Sequence, residues 1–211
     1  MALTDAYASV AQYRAVAGNT DRGAEDAIRR DLRAVARMLD RRLRRHFNRE
    51  ATATEHRYIA PMLDAREPEQ AILFVDDIAS TAGLVIKIDT DNDGVVSDED
   101  ALAATDYQLF PLNAATGPEP APWTSIRLTP SGDYAKFPRG VLVSVTAIHG
   151  WPTATPPALT SANIELTRIL RLEGPRGLNT ANAGLEQIEA LTVEARRIVS
   201  ELVRDYQKVE L

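Results

Sequence analysis

The apolar residues of this chain change their spacing twice, and that switch constrains the fold more than any other feature. From about Asp21 to Phe47 the residues Ile28, Leu32, Val35, Leu39, Leu43 and Phe47 recur at three- and four-residue steps, the period of one helical face. From Ala51 to about Gly150 short β-rich stretches replace them: Ile72–Val75, Gly83–Ile88, Tyr107–Phe110, Thr124–Leu128 and Val141–Ile148. Turn signals separate these stretches, at Pro61, Glu67-Pro68, Asn92-Asp93-Gly94, Pro118 to Pro122 and Ser131-Gly132-Asp133. Most connections are too short for a crossover helix, so the pairing is expected to be mostly antiparallel.

Helical spacing returns after Pro156-Pro157. A helix over 157–173 is expected, with Ala158, Ala162, Leu166, Ile169 and Leu170 on its buried face and Gly174-Pro175 as its stop. A joint from Arg176 to Gly184 precedes a last helix from about Leu185 to Lys208, striped by Ile188, Leu191, Ala195, Ile198, Leu202 and Tyr206. At the other end, 4–17 predicts a short helix with Thr4 or Asp5 as N-cap and Gly18-Asn19 as its stop. The expected class is α+β, with an N-terminal helical pair (4–17 and 21–47), a central β-region (51–150), a C-terminal helix and an extended helical arm. Residues 1–178 are expected to form the core and 179–211 the arm, whose stripe would be exposed until it docks.

Several function classes drop out. With no cysteine there is no disulfide, thiolate nucleophile or zinc–sulfur site. No Gly-x-Ser-x-Gly elbow, P-loop or Gly-x-Gly-x-x-Gly turn occurs. His46 and His149 end predicted elements and are read as structural, Asp76-Asp77 is expected in a loop, and Trp123, Trp151, Tyr107 and Phe110 are assigned to packing. The N-terminus lacks the regions of a signal peptide, which leads us to expect a protein made in the cytoplasm without a membrane span.

Charge divides the chain. Residues 21–50 carry ten arginines against six acids, whereas 51–138 carry five basic residues against fifteen acids, within a net charge of −6. Of the 24 basic residues, 21 are arginine, which favours bidentate pairing at an interface over a lysine-coated surface. Arg33, Arg37, Arg41 and Arg44 are therefore candidates for contact between subunits, facing carboxylates head to tail, against the simpler reading of a solvated helix face.

One motif is sharp. Asp89 to Asp100 follows the EF-hand calcium loop, with carboxylates at positions 1, 3, 5 and 12, glycine at 6 and serine at 9. Asp89, Asp91, Asp93 and Asp100, with the carbonyl of Val95, are the candidate calcium ligands; no other cofactor is expected. The preceding segment is strand-like, and the plain alternative is a hairpin whose Asn92-Asp93-Gly94 turn needs residues tolerant of positive φ. From the residues alone, a monomeric calcium-binding module is the alternative function.

The order of segments resembles a known family. An arginine-bearing helix ending Arg44-Arg45-His46-Phe47 precedes a β-region containing Asp106-Tyr107-Gln108-Leu109-Phe110-Pro111-Leu112-Asn113, Trp123-Thr124-Ser125-Ile126-Arg127-Leu128 and Phe137-Pro138-Arg139-Gly140. Gly150-Trp151-Pro152 then leads through Pro156-Pro157-Ala158 into a helix, and the chain closes with Val203-Arg204-Asp205-Tyr206-Gln207-Lys208. This resembles the head–tail connector (adaptor) proteins of long-tailed bacteriophages, of the siphovirus type. The resemblance implies a non-enzymatic virion protein at the head–tail neck: a ring, twelve copies in the family, below the portal. Its partners would be its own copies, the portal protein, the next connector, and DNA passing through the lumen without sequence recognition. It makes Ile198, Leu202 and Tyr206 candidates for contact with the portal. In that setting acids of the β-region or helix ends, not the arginine stripe, are expected to line the channel as a low-friction wall.

Overall fold

The computed structural model describes residues 6–18, 25–62, 71–114, 116, 120–130, 132, 134–153, 155–173 and 192–207. The chain forms two compact units, one from 1–48 with 155–211 and one from 49–154. The division follows the switch in apolar spacing, so the sheet unit is an insertion in a helical one.

The helical unit contains α1 (Val10–Ala17), α2 (Glu25–Leu43), α3 (Pro157–Glu173) and α4 (Val193–Tyr206). The α2 stripe is as its spacing predicts: Ile28, Leu32, Val35, Leu39 and Leu43 are all buried. Residues Leu159, Ala162, Asn163, Ile164, Leu166, Thr167, Ile169 and Leu170 of α3 are buried too, so this helix is enclosed around most of its girth, while Ala158 is exposed. Contacts with α1, α2 and α4 account for that burial. Asn163 ties the pieces together. Its Oδ1 accepts the Ala8 amide at 3.1 Å and its Nδ2 donates to the Leu32 carbonyl at 3.0 Å, joining the N-terminal segment, α2 and α3.

Three expectations change here. The expected 4–17 helix begins only at Val10, where Ser9 caps it in a reciprocal pair with Gln12 (Gln12 N to Ser9 Oγ 3.1 Å, Ser9 N to Gln12 Oε1 2.8 Å). Thr4 and Asp5, the expected caps, lie outside the described residues. Helix α2 ends at Leu43, not Phe47, because Arg44 turns into the left-handed region at φ 53°. Phe47 is buried by another route, edge-on to Tyr7 (5.9 Å) and to Tyr206 of α4 (5.8 Å). The last helix is thus not exposed in the free chain: Ala195, Val199 and Leu202 are buried in the helical unit. Its expected first residues, including Ile188 and Leu191, lie outside the described residues.

The sheet unit holds β1 (Thr54–Ile59), β2 (Ile72–Ile88), β3 (Tyr107–Phe110), β4 (Trp123–Leu128) and β5 (Leu142–His149), in the order β1-β5-β2-β4-β3, every pair antiparallel. Strand β1 was not foreseen. Strand β2 joins two expected stretches into one bent strand, pairing with β4 over its first half and β5 over its second, with register shifts between Phe74 and Val85. Asp76 and Asp77 therefore sit inside a strand and not in a loop. Leu73 and Val75 from the first half and Ile86 and Ile88 from the second enter one core with Ile126, Leu128, Val143 and Val145. Among the described residues no helix is long and apolar enough to cross a membrane.

Candidate functional site

Three surfaces carry chemistry. The first is the loop that follows β2. An antiparallel bridge from Lys87 to Ala101 and a bond from the Leu102 amide to the Ile86 carbonyl (2.9 Å) pinch its base. Asn92 at φ 59° and Gly94 at φ 85° turn the chain at its tip, the conformations that the Asn-Asp-Gly sequence tolerates. Asp89 is buried and fixes that turn, its two oxygens accepting the amides of Asp93 (3.1 Å) and Gly94 (2.9 Å). Asp91 Oδ1 also accepts the Asp93 amide, at 3.3 Å, and Asp93 Oδ1 accepts that of Val95 at 2.7 Å. Glu99 accepts both the amide and the hydroxyl of Thr90, which lowers its pKa.

One carboxylate oxygen from each of Asp89, Asp91 and Asp93 lies within 4.8 Å of the others. The structure thus brings together positions 1, 3 and 5 of the calcium-loop pattern. Asp100 is exposed and is not part of that cluster. Hydrogen bonding from the Asp93 amide lowers the Asp91 pKa, but desolvation and the neighbouring carboxylates of Asp93 and Asp89 outweigh it, leaving a net rise. Hard oxygens in this arrangement suit a cation such as calcium, and they equally close a tight turn.

The second surface is the outer face of α2. Arg29 is occupied by Glu25 (2.6 Å) and Asp26 (3.0 Å) within its own helix. Arg33 is half-buried, whereas Arg37, Arg41 and Arg44 are exposed. Arg33 and Arg44 have interactions within the chain; Arg37 and Arg41 have none among the described residues.

The third was missed at the sequence level. The imidazoles of His56 on β1 and His149 on β5 are stacked, 3.8 Å between centroids and 7° apart. His56 Nδ1 lies 3.0 Å from Asp76 Oδ2, which also accepts the Tyr58 hydroxyl at 3.1 Å. His149 is buried, and neither of its ring nitrogens has a hydrogen-bond partner among the described residues. Desolvation first, and then the neighbouring His56, push its pKa down, against the pull of Glu50, Asp76 and the Asp77 main chain. The signal in the sequence is the alternation of His56 and Tyr58 along one face of β1, carried by polar residues and not by apolar ones.

The residues expected to meet a portal are placed on α4. Leu202 is buried, Ile198 is half-buried, and Tyr206 is half-buried against Phe47. Beside them Tyr7 donates its hydroxyl to Asp40 and receives the Phe47 amide at 3.3 Å. Burial above all, and then Asp40, raise the Tyr7 pKa far beyond the usual phenol value. This cluster holds the end of α2 against α4 and the N-terminal segment.

No protein-family model matches this chain, and no curated protein does. Solved structures do. A chain in the virion of a native gene transfer agent particle is similar over 96% of this chain and 90% of its own, with 19% identity and a TM-score of 0.50. A chain in the neck of an empty gene transfer agent particle, computed with C6 symmetry, covers the same shares at 17% identity and a TM-score of 0.52. At such identity the likeness is one of fold.

Proposed function

We propose that this chain is a structural protein of a particle neck, an adaptor whose copies close a ring below the portal and extend the DNA channel to the next connector. The observation that supports it most is the likeness of fold across both units to chains in a gene transfer agent virion and neck. The family order of segments in the sequence points the same way from independent grounds. The role needs no reaction: the protein holds neighbours in register, and its binding surfaces are its function.

In this reading the copies number twelve, by family resemblance. Contact with the portal through Ile198, Leu202 and Tyr206 is exclusive with the free-chain arrangement. Helix α4 must give up the burial of Leu202 and the Tyr206–Phe47 contact before those side chains can face a partner. The test is to image the neck of purified particles from the source cell and to weigh the chain's copy number by mass spectrometry. A multi-copy ring directly beneath the portal is expected. Absence from the neck, a single copy, or turnover of a substrate by the purified chain overturns the proposal.

A further inference from the structure

Several arginines of the described chain are answered by its own carboxylates. Arg29 is held by Glu25 and Asp26, Arg57 by Glu55, Arg168 by Glu165, Arg171 by Asp31, and Arg197 by Glu194 and Glu201. Arg14 and Arg127 are exposed on separate elements without such a partner, whereas Arg37 and Arg41 form a pair. They stand one helical turn apart on the exposed face of α2, with no hydrogen bond or ion pair among the described residues. Two arginines at i and i+4 repel each other mildly and present two planar forks whose Cβ atoms are about 6 Å apart.

The complement lies in the other unit. The loop over 89–100 holds six carboxylates and no basic side chain. Asp91, Asp93, Asp98 and Asp100 are exposed. The Asp89 hydrogen bonds and the bridge at the base hold the loop in one shape, so little conformational freedom remains to be lost on binding. One chain therefore carries an unanswered pair of arginines in one unit and an unanswered rigid group of acids in the other.

We propose that Arg37 and Arg41 of one copy receive the Asp91–Asp100 loop of a second copy. The two faces differ, so the contact is head to tail, and each copy keeps one face of each kind for the next neighbour. The proposal rests on the neck reading for its biological setting, but the attraction itself comes from the charges and can be tested without a particle. Duplex DNA is the competing occupant of two bare arginines. The net charge of −6 disfavours it, because phosphate neutralisation needs a broader basic surface.

The test is charge exchange on the full-length chain, read by sedimentation velocity at low and high salt. Asp98 and Asp100 make no side-chain hydrogen bond or ion pair in the described chain, so Asp98→Lys/Asp100→Lys spares the turn that Asp89 builds. Wild type is expected to self-associate at low salt and to dissociate as salt rises. The double variants Arg37→Glu/Arg41→Glu and Asp98→Lys/Asp100→Lys should each weaken association by about tenfold or more. Mixing them restores association in part, because the unaltered arginine pair of one variant again meets the unaltered loop of the other. Circular dichroism establishes that each variant is folded. A wild-type chain that stays monomeric at low salt refutes the inference, as does a mixture no better associated than its parts. So does loss of duplex DNA binding in Arg37→Glu/Arg41→Glu with self-association intact. If the exchange works but the chain is absent from the neck, the neck reading fails and the contact stands. If the chain forms a neck ring that the Arg37→Glu/Arg41→Glu variant still builds, the reverse holds.

Discussion

Asn163 offers the sharpest test of how the helical unit is held. It is fully buried, and its amide accepts from Ala8, whose residue is 6% exposed, while donating to Leu32 in the middle of α2. Replacing it by alanine leaves the Ala8 amide without an acceptor in a place water does not reach. An orphaned buried donor costs about 1–3 kcal/mol, and losing the second bond adds about 0.5–1.5 kcal/mol. The Leu32 carbonyl suffers less, because a mid-helix carbonyl keeps its i+4 partner. With the small cavity left behind, Asn163→Ala is expected to cost about 3–5 kcal/mol, a large share of a domain's usual stability.

Asn163→Asp separates bonding from volume. The shape is kept and one oxygen can still accept from Ala8, but the other faces the Leu32 carbonyl without a proton to give. The neutral carboxylic acid restores that donor, so the folded state raises the new group's pKa. Its penalty relative to wild type is therefore largest at neutral pH and shrinks as pH falls toward the unfolded carboxyl value. Urea melts followed by circular dichroism at 222 nm read the helices. The only two tryptophans, Trp123 and Trp151, lie in the sheet unit and report that unit separately by fluorescence. A helical midpoint displaced by less than about 1 kcal/mol in the alanine variant, or an aspartate variant with no pH-dependent deficit, refutes the bridging role.

The remaining predictions concern charges. Burial lowers the His149 pKa in the folded state, so the sheet unit should be fully stable above the unfolded imidazole value of about 6.5 and lose stability as pH drops below it. His149→Gln should flatten that part of the tryptophan-detected stability profile, and an unchanged slope removes His149 as its cause. Arg171 Nη1 lies 2.5 Å from the buried Asp31, and Arg171→Met should cost about 3–5 kcal/mol in urea melts, most of it recovered in the Asp31→Leu/Arg171→Met double variant. Asp89→Ala frees the Asp93 and Gly94 amides and should destabilise the sheet unit by about 1–3 kcal/mol in metal-free buffer. Wild-type Tm in millimolar calcium then divides the loop's two readings: a rise assigns a cation to Asp89, Asp91 and Asp93, and no shift leaves them as turn builders.

The regular parts of this fold were legible because packing there follows spacing. Residues Ile28 to Leu43 bury the side chains that their period selects, Val143, Val145 and Ala147 of β5 are buried, and the helix over 157–173 has the bounds that its flanking prolines and glycine mark. Misreadings arose where one side chain overrides the period. Arg44 breaks α2 with a left-handed turn usually left to glycine, and Phe47 still reaches the core, so the pattern continues past the helix that made it. Ser9 and Gln12 formed a readable cap that the stronger-looking Thr4-Asp5 displaced. Strand β1 alternates half-buried and exposed positions through Thr54-Glu55-His56-Arg57-Tyr58-Ile59, a pattern built on polar residues and invisible to a search for apolar ones. The His56–His149 stack was lost with it.

The acid excess of the β-region also changes meaning once its side chains are placed. Read as charge alone, fifteen acids suggested a repulsive wall for passing DNA. Several of them face inward as backbone acceptors. Asp89 holds the amides of the 93–94 turn, and buried Asp106 accepts the Ala103 amide at 3.0 Å and the Thr105 hydroxyl at 3.2 Å. Gly132 packs so close to Asp106 that an added Cβ would meet its Cα at 3.0 Å. Asp77 is buried within β2. Asp89 and Asp106 do the work that regular hydrogen bonding does elsewhere, fixing irregular segments around the sheet. They cannot also face a lumen. Among the described residues of the β-region, Glu55, Asp76, Asp91, Asp93, Asp98 and Asp100 are the exposed acids that could line a channel, and the last four are the set proposed to meet Arg37 and Arg41 of a neighbour. The two roles compete for the same side chains. Charge reversal at Asp98 and Asp100 that weakens self-association would place these acids at the subunit boundary, and the low-friction wall would then have to come from other exposed acids of the ring.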